Sequence, residues 1–179
     1  MRPGGASWYR GPVFTAGLIG LVVAGIGAAA RAAEDTGAPW GVAVRRVDEA
    51  LGRKQFSAAL KAADEAYGMA AASRRWEALL ETGGAYRRIG QTTGLTRSFD
   101  AKARRLYLAA LFLARQENAL DGVFRVAEAF AGLGDTEVAT QCVRIAERLA
   151  GRDVAAQAEV RAFAARLIDP ALPAQQPGR

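Results

Sequence analysis

The chain is 179 residues long and 51% hydrophobic, with a formal charge of +6 from 24 basic and 18 acidic residues, no histidine and a single cysteine. That length and apolar share support one domain with a core. One cysteine excludes an intramolecular disulfide framework, and with no histidine the usual zinc, haem and copper ligand sets are excluded too, so no metal and no cofactor is expected.

Met1–Gly11 carries Arg2 and Arg10 and no acid, and the following PVFTAGLIGLVVAGIGAAA, Pro12–Ala30, carries no charge. A positive start, an apolar run and small residues before the first acid, Glu34, predict an export signal over residues 1–32. Cleavage would follow Ala30-Arg31-Ala32 or Ala28-Ala29-Ala30. The alternative is an uncleaved anchor through residues 13–30, since about 18 apolar residues can just span a bilayer. Ala16, Gly20, Ala24 and Ala28, spaced by four, suit close helix packing in a membrane. On either reading the body crosses the membrane. A signal of this form before an alanine- and arginine-rich body is similar to those of many exported Gram-negative proteins. The expected location is therefore the periplasm, either soluble after cleavage or anchored in the inner membrane.

Residues 33–41, AEDTGAPWG, read as a linker, with Trp40 opening the packed body. Alanine dominates thereafter and β-branched runs are scarce, so the class is all-α. A first helix is expected over Val42–Leu51, a turn at Gly52-Arg53-Lys54, and a return helix over Phe56–Tyr67 or slightly further. Ala58, Ala59, Ala62, Ala63 and Ala66 would let these two approach closely. Ser73 is expected to N-cap the next helix, whose apolar stripe is Trp76, Leu79, Leu80, Gly83 and Tyr86. Polar Gln91–Ser98, QTTGLTRS, reads as a loop or as a longer helix end. Phe99 or Asp100 then opens a helix running to Ala114 or Gln116, apolar enough to be the most buried. Asn118–Gly151 reads as two antiparallel helices broken at Gly132-Leu133-Gly134-Asp135, with Asp135 as a cap and Cys142 as a buried apolar thiol. In a last helix, Asp153–Leu167, residues Val154, Ala158, Val160, Phe163, Ala164 and Leu167 are expected to cover the preceding pair. Residues 169–179, with three prolines, are expected to be disordered.

The chain also repeats itself. Gly83, Tyr86 and Gly90 have the mutual spacing of Ala127, Phe130 and Gly134, and Val47, Ala50 and Lys54 repeat it more weakly. The small-residue faces Ala59, Ala63, Ala66, then Ala103, Tyr107, Ala110, then Ala139, Val143, Ala146 recur with offsets of 44 and 36, while Ala50, Tyr86 and Phe130 recur with 36 and 44. One insertion of eight residues between Gly90 and Ala103 accounts for both. Over Trp40–Gly151 this pattern resembles a tetratricopeptide repeat, whose period is about 34 residues. The resemblance implies a short right-handed α-solenoid over residues 42–168, of about three helix pairs and a C-terminal capping helix. It also implies a concave groove, lined by the first helix of each pair, that binds another protein.

No signature of catalysis stands out. There is no G-x-S-x-G elbow, no phosphate-binding loop and no dinucleotide fingerprint, and the commonest general base is missing. Glu77 with Glu81, and Asp64 with Glu65, are carboxylate pairs that acid chemistry could use, and both read more simply as solvated helix surface. No catalytic residue is expected, and the chain is not read as an enzyme. With Arg2, Arg10 and Arg31 set apart, the body is only +3, which does not suggest nucleic acid. The candidate partner-binding residues are Tyr86, Arg87, Arg88 and, in the inserted stretch, Arg97. The arginines beside Tyr86 are read either as a fork for a partner carboxylate or as a solvated cationic face. Two functions follow: an exported non-catalytic module that binds a protein partner as scaffold or assembly factor of an envelope or redox complex, or a membrane-anchored accessory subunit with an uncleaved N-terminal helix.

Overall fold

The computed structural model describes residues 37–168. The expected signal or anchor over 1–32, its cleavage site and the tail from 169 lie outside the described residues. Within them the chain is all-helical, with seven helices and no strand: α1 Pro39–Gly52, α2 Phe56–Ser73, α3 Trp76–Thr93, α4 Thr96–Gln116, α5 Leu120–Gly132, α6 Thr136–Ala150 and α7 Val154–Ile168. α1 starts inside the expected linker because Pro39 sits in its first turn, where a missing N–H costs nothing and the fixed φ suits a helix.

Connections of two or three residues join these helices, and each contains one residue at positive φ: Lys54, Arg74, Gly94, Asn118, Gly134 and Gly151. Three of the turns are built alike. The N–H of Gln55, of Ala119 and of Asp135 returns to the carbonyl of Ala50, Ala114 and Phe130 at 2.8, 2.8 and 3.0 Å. This closes the helix end and reverses the chain. Lys54 therefore stands at a left-handed position equivalent to that of Gly134, φ 58° against 80°.

Two expectations about turns are corrected. Ser73 does not cap α3; it ends α2, where its hydroxyl donates to the Ala70 carbonyl and accepts from the Arg75 N–H. Of the two readings of Gln91–Ser98, the loop falls and the longer helix end holds. The extra residues lengthen α3 to Thr93 and start α4 at Thr96, leaving only Gly94-Leu95 between them. Thr92 and Thr93 fit in the helix because their hydroxyls donate to the carbonyls of Arg88 and Ile89, one turn back. Gly94, not Gly90, turns the chain. Gly90 is needed as a flat spot, since a Cβ there would lie 2.7 Å from Phe99 Cβ.

Successive helices run antiparallel, as their cross-contacts show: Gly83 and Gly90 of α3 meet Tyr107 and Phe99 of α4, later residues against earlier ones. Alternate helices run parallel. Asp48 of α1 meets Arg88 of α3, and Trp76 and Arg87 of α3 meet Gly122 and Gly132 of α5. Each helix touches only those one or two places away in the chain.

Small residues make the contacts close, as expected: Ala59, Ala63 and Ala66, then Ala103 and Ala110, then Ala139 and Ala146 are all buried. Aromatic rings fill the wider gaps. Tyr107 meets Phe130 edge-on at 5.7 Å, and Phe124 stacks on Phe163 at 4.3 Å, each pair adding about 0.5–1.5 kcal/mol to the burial of its rings.

α3, not α4, is the most buried helix. It touches α1, α2, α4 and α5 and has eleven buried residues, against five in the longer α4, where Leu108 and Phe112 are 52% and 59% exposed. On α7 only Val160 and Phe163 of the expected covering set are fully buried, while Val154 and Ala158 face outward. Asp153, absent from the expected caps, holds this helix by accepting from the N–H groups of Ala155 and Ala156.

Candidate functional site

The parallel helices α1, α3 and α5 share a face, and a groove of about 350 Å³ lies on it. Val44 of α1, Leu80, Glu81 and Arg88 of α3, and Arg125 and Glu128 of α5 line it, with Tyr107 entering from α4. Gly84 and Ala129, with little or no side chain, leave room in it. Its lining combines apolar side chains with charges of both signs.

The structure separates the four sequence-predicted residues. Arg88 lies on the groove, but its guanidinium forms a two-point bond to Asp48, Nε to Oδ1 at 2.7 Å and Nη2 to Oδ2 at 3.3 Å, tying α3 to α1. Arg87 points toward α5 and donates to the Gly132 carbonyl. A cation there suits the negative end of that helix. Tyr86 turns the other way, and its hydroxyl donates to Asp64 of α2 at 2.6 Å. Arg97 is exposed in the first turn of α4. One of the four lines the groove, and the two neighbouring arginines act as struts between helices.

Tyr107, Arg125 and Glu128 are groove residues that the sequence reading missed. Burial pushes the Tyr107 hydroxyl up in pKa, while the positive charges of Arg87 and Arg88 act against that shift. Arg125 lies with its guanidinium 5.2 Å from the Trp76 ring centroid, a placement that favours the cation. The signal for these residues was spacing: Glu81, Gly84 and Arg88 on α3, and Arg125, Glu128 and Ala129 on α5, each repeat at one helical turn beside the apolar stripe.

The two carboxylate pairs are divided among structural bonds. Glu77, 8% exposed, is held by Arg75 at 3.1 and 3.4 Å, whereas Glu81 lines the groove. Asp64 takes the Tyr86 hydroxyl and Glu65 pairs with Arg46 at 3.1 Å. Among the described residues no group of three His, Cys, Asp or Glu is placed to hold a metal. Cys142 is fully buried, and loss of water pushes its thiol up to about 11.

Among the described residues no helix is long and apolar enough to cross a membrane. The chain matches no protein-family model, no curated protein and no solved structure.

Proposed function

We propose that this chain is an exported, non-catalytic helical-repeat module that binds a protein partner in the periplasm, as a scaffold or assembly factor of an envelope or redox complex. In this reading α1–α2, α3–α4 and α5–α6 are three tetratricopeptide-like pairs, wound as a short right-handed α-solenoid and closed by α7. The observation that carries it is the groove, lined from the parallel helices α1, α3 and α5 by apolar and charged groups. Contacts confined to helices one or two places apart fit such stacking. Its size and mixed charge suit a polypeptide segment with alternating apolar and charged side chains. Arg2, Arg10 and the uncharged run Pro12–Ala30 support export.

Site-specific photo-cross-linking of the full chain tests this. A cross-linker at Glu128, on the groove, is expected to trap a defined partner, and Arg125→Glu is expected to abolish that product while helicity is unchanged. Capture only from Thr140, exposed on α6, would refute the groove as the binding face.

The same uncharged run favours a second reading, a membrane-anchored accessory subunit with an uncleaved N-terminal helix. The N-terminal mass separates the two: a mature chain starting near Ala33 supports the exported module, and an intact Met1 or Arg2 in the membrane fraction supports the anchored subunit.

A further inference from the structure

A second concavity, of about 270 Å³, lies between α2 and α4 and shares no lining residue with the groove. Asp64 and Tyr67 come from α2, Tyr86 from α3, and Lys102, Arg105 and Leu106 from α4. We infer that this cleft is a binding site for a carboxylate carried on a short apolar or aromatic stem.

Three observations support the assignment. First, the cations have no acid partner: among the described residues neither Lys102 nor Arg105 forms an ion pair or a hydrogen bond, although Arg87, Arg88 and Arg104 of the same two helices do. Lys102 instead rests with its ammonium 4.8 Å from the Tyr86 ring centroid. Second, the acid in the cleft is already engaged. Asp64 accepts the Tyr86 hydroxyl at 2.6 Å, and burial, then the nearby Asp64, raises the pKa of that hydroxyl, so it keeps its proton. Two cations against one occupied carboxylate leave a single surplus positive charge, which suits a monoanion better than a dianion. Third, Tyr67, 48% exposed, lines the same cleft as Leu106 and the two cations, and so offers an uncovered aromatic surface there. The cleft is smaller than the 300–1,000 Å³ or so of typical drug-sized pockets, so the ligand is of the size of one side chain. The carboxylate would lie against the Arg105 fork and Lys102, with its stem on Tyr67 and Leu106.

Such a group comes either as a free small acid or as the C-terminus of a peptide. Phenylacetate, its uncharged analogue 2-phenylethanol, and a short peptide ending in phenylalanine as free acid or as amide are titrated into the full-length chain in zwitterionic detergent, reading the Leu106 methyl and Tyr67 ring resonances. Phenylacetate is expected to bind saturably, about tenfold more weakly to Arg105→Gln, the loss of one charge-assisted hydrogen bond. Asp64→Asn keeps an acceptor for Tyr86 and removes a like charge, so it is expected to tighten binding about threefold. A variant that had only disturbed folding would not tighten it. Tighter binding of the peptide acid than of phenylacetate, with none by the amide, identifies a chain terminus; binding of phenylacetate alone identifies a free acid. No saturable shift with either acid, equal binding of 2-phenylethanol, or affinity unchanged in both Arg105→Gln and Lys102→Gln would overturn the assignment.

Discussion

Asp135 precedes α6 and has the sequence of a helix cap, yet its carboxylate is turned away from that helix and held by Arg104 of α4, Nε to Oδ2 at 2.6 Å and Nη2 to Oδ1 at 3.0 Å. The bond to Asp135 is also the main cause that raises the Arg104 pKa. Both side chains keep part of their surface in water, so the coupling is expected to be about 1 kcal/mol and not the several of a buried pair. A double-mutant cycle of Arg104→Ala and Asp135→Ala in urea unfolding measures it, and a coupling of zero would mean the pair is ornamental. Cys142 makes a different test. Its folded pKa of about 11 lies above the ordinary 9.0, so the unfolded chain loses this proton first as pH rises. The stabilisation is complete below pH 9 and is lost between about pH 9 and 11, by up to about 2–3 kcal/mol. The raised Tyr86 and Tyr107 hydroxyls work in the same direction at still higher pH. Urea unfolding at pH 7, 9 and 10 should show the loss, with a shallower slope in Cys142→Ala, and the thiol should resist alkylation at neutral pH until the chain unfolds. At this scale the burial of Cys142 was readable from its apolar neighbours. The partner of Asp135 was not, because Arg104 lies a whole helix away and no local spacing connects the two.

The helices themselves were largely legible, since small residues at one-turn spacing can have few uses other than close packing. What the pattern could not tell was which glycine served which purpose. Gly83 and Gly122 are contact glycines: a Cβ at the first would lie 2.5 Å from Tyr107 Cε1, and at the second 2.8 Å from the Ala114 Cβ and 3.0 Å from the Trp76 ring. Gly68 in α2 is exposed and has nothing within 4 Å of the added carbon. Gly122→Ala is therefore expected to destabilise by about 1–3 kcal/mol through overpacking. Gly68→Ala should stabilise by up to about 1 kcal/mol through helix propensity alone. Thermal unfolding of the two variants should move in opposite directions. A helix's share of the core was equally hidden. α4 has the richer apolar sequence, but burial follows the number of neighbours, and α3 has more of them. Of the four expected site residues, Arg88 alone lines the groove. The aim of Arg87 and Arg88 was not readable, because Gly132 and Asp48 lie on other helices and decide where each guanidinium goes.

Among the described residues, packing joins helices that are one or two places apart in the chain. α7 packs, among the described residues, on α5 and α6 alone, with Phe163 stacked on Phe124 as its principal anchor. Phe163→Ala is expected to cost about 3–5 kcal/mol locally. Amide exchange should then accelerate first in α7 and the end of α6 and leave α1–α3 protected; uniform acceleration along the chain would show that the helices unfold as one unit. The short reversals between helices have a kinetic consequence as well. Since every helix docks on one that has just preceded it, no pairing waits for a distant segment, and the contact order is low. Refolding of the helical body is expected on the microsecond-to-millisecond scale typical of such topologies. As the chain emerges from its N-terminus during synthesis, it can complete α1 with α2, and then add α3, while α7 is still to be made.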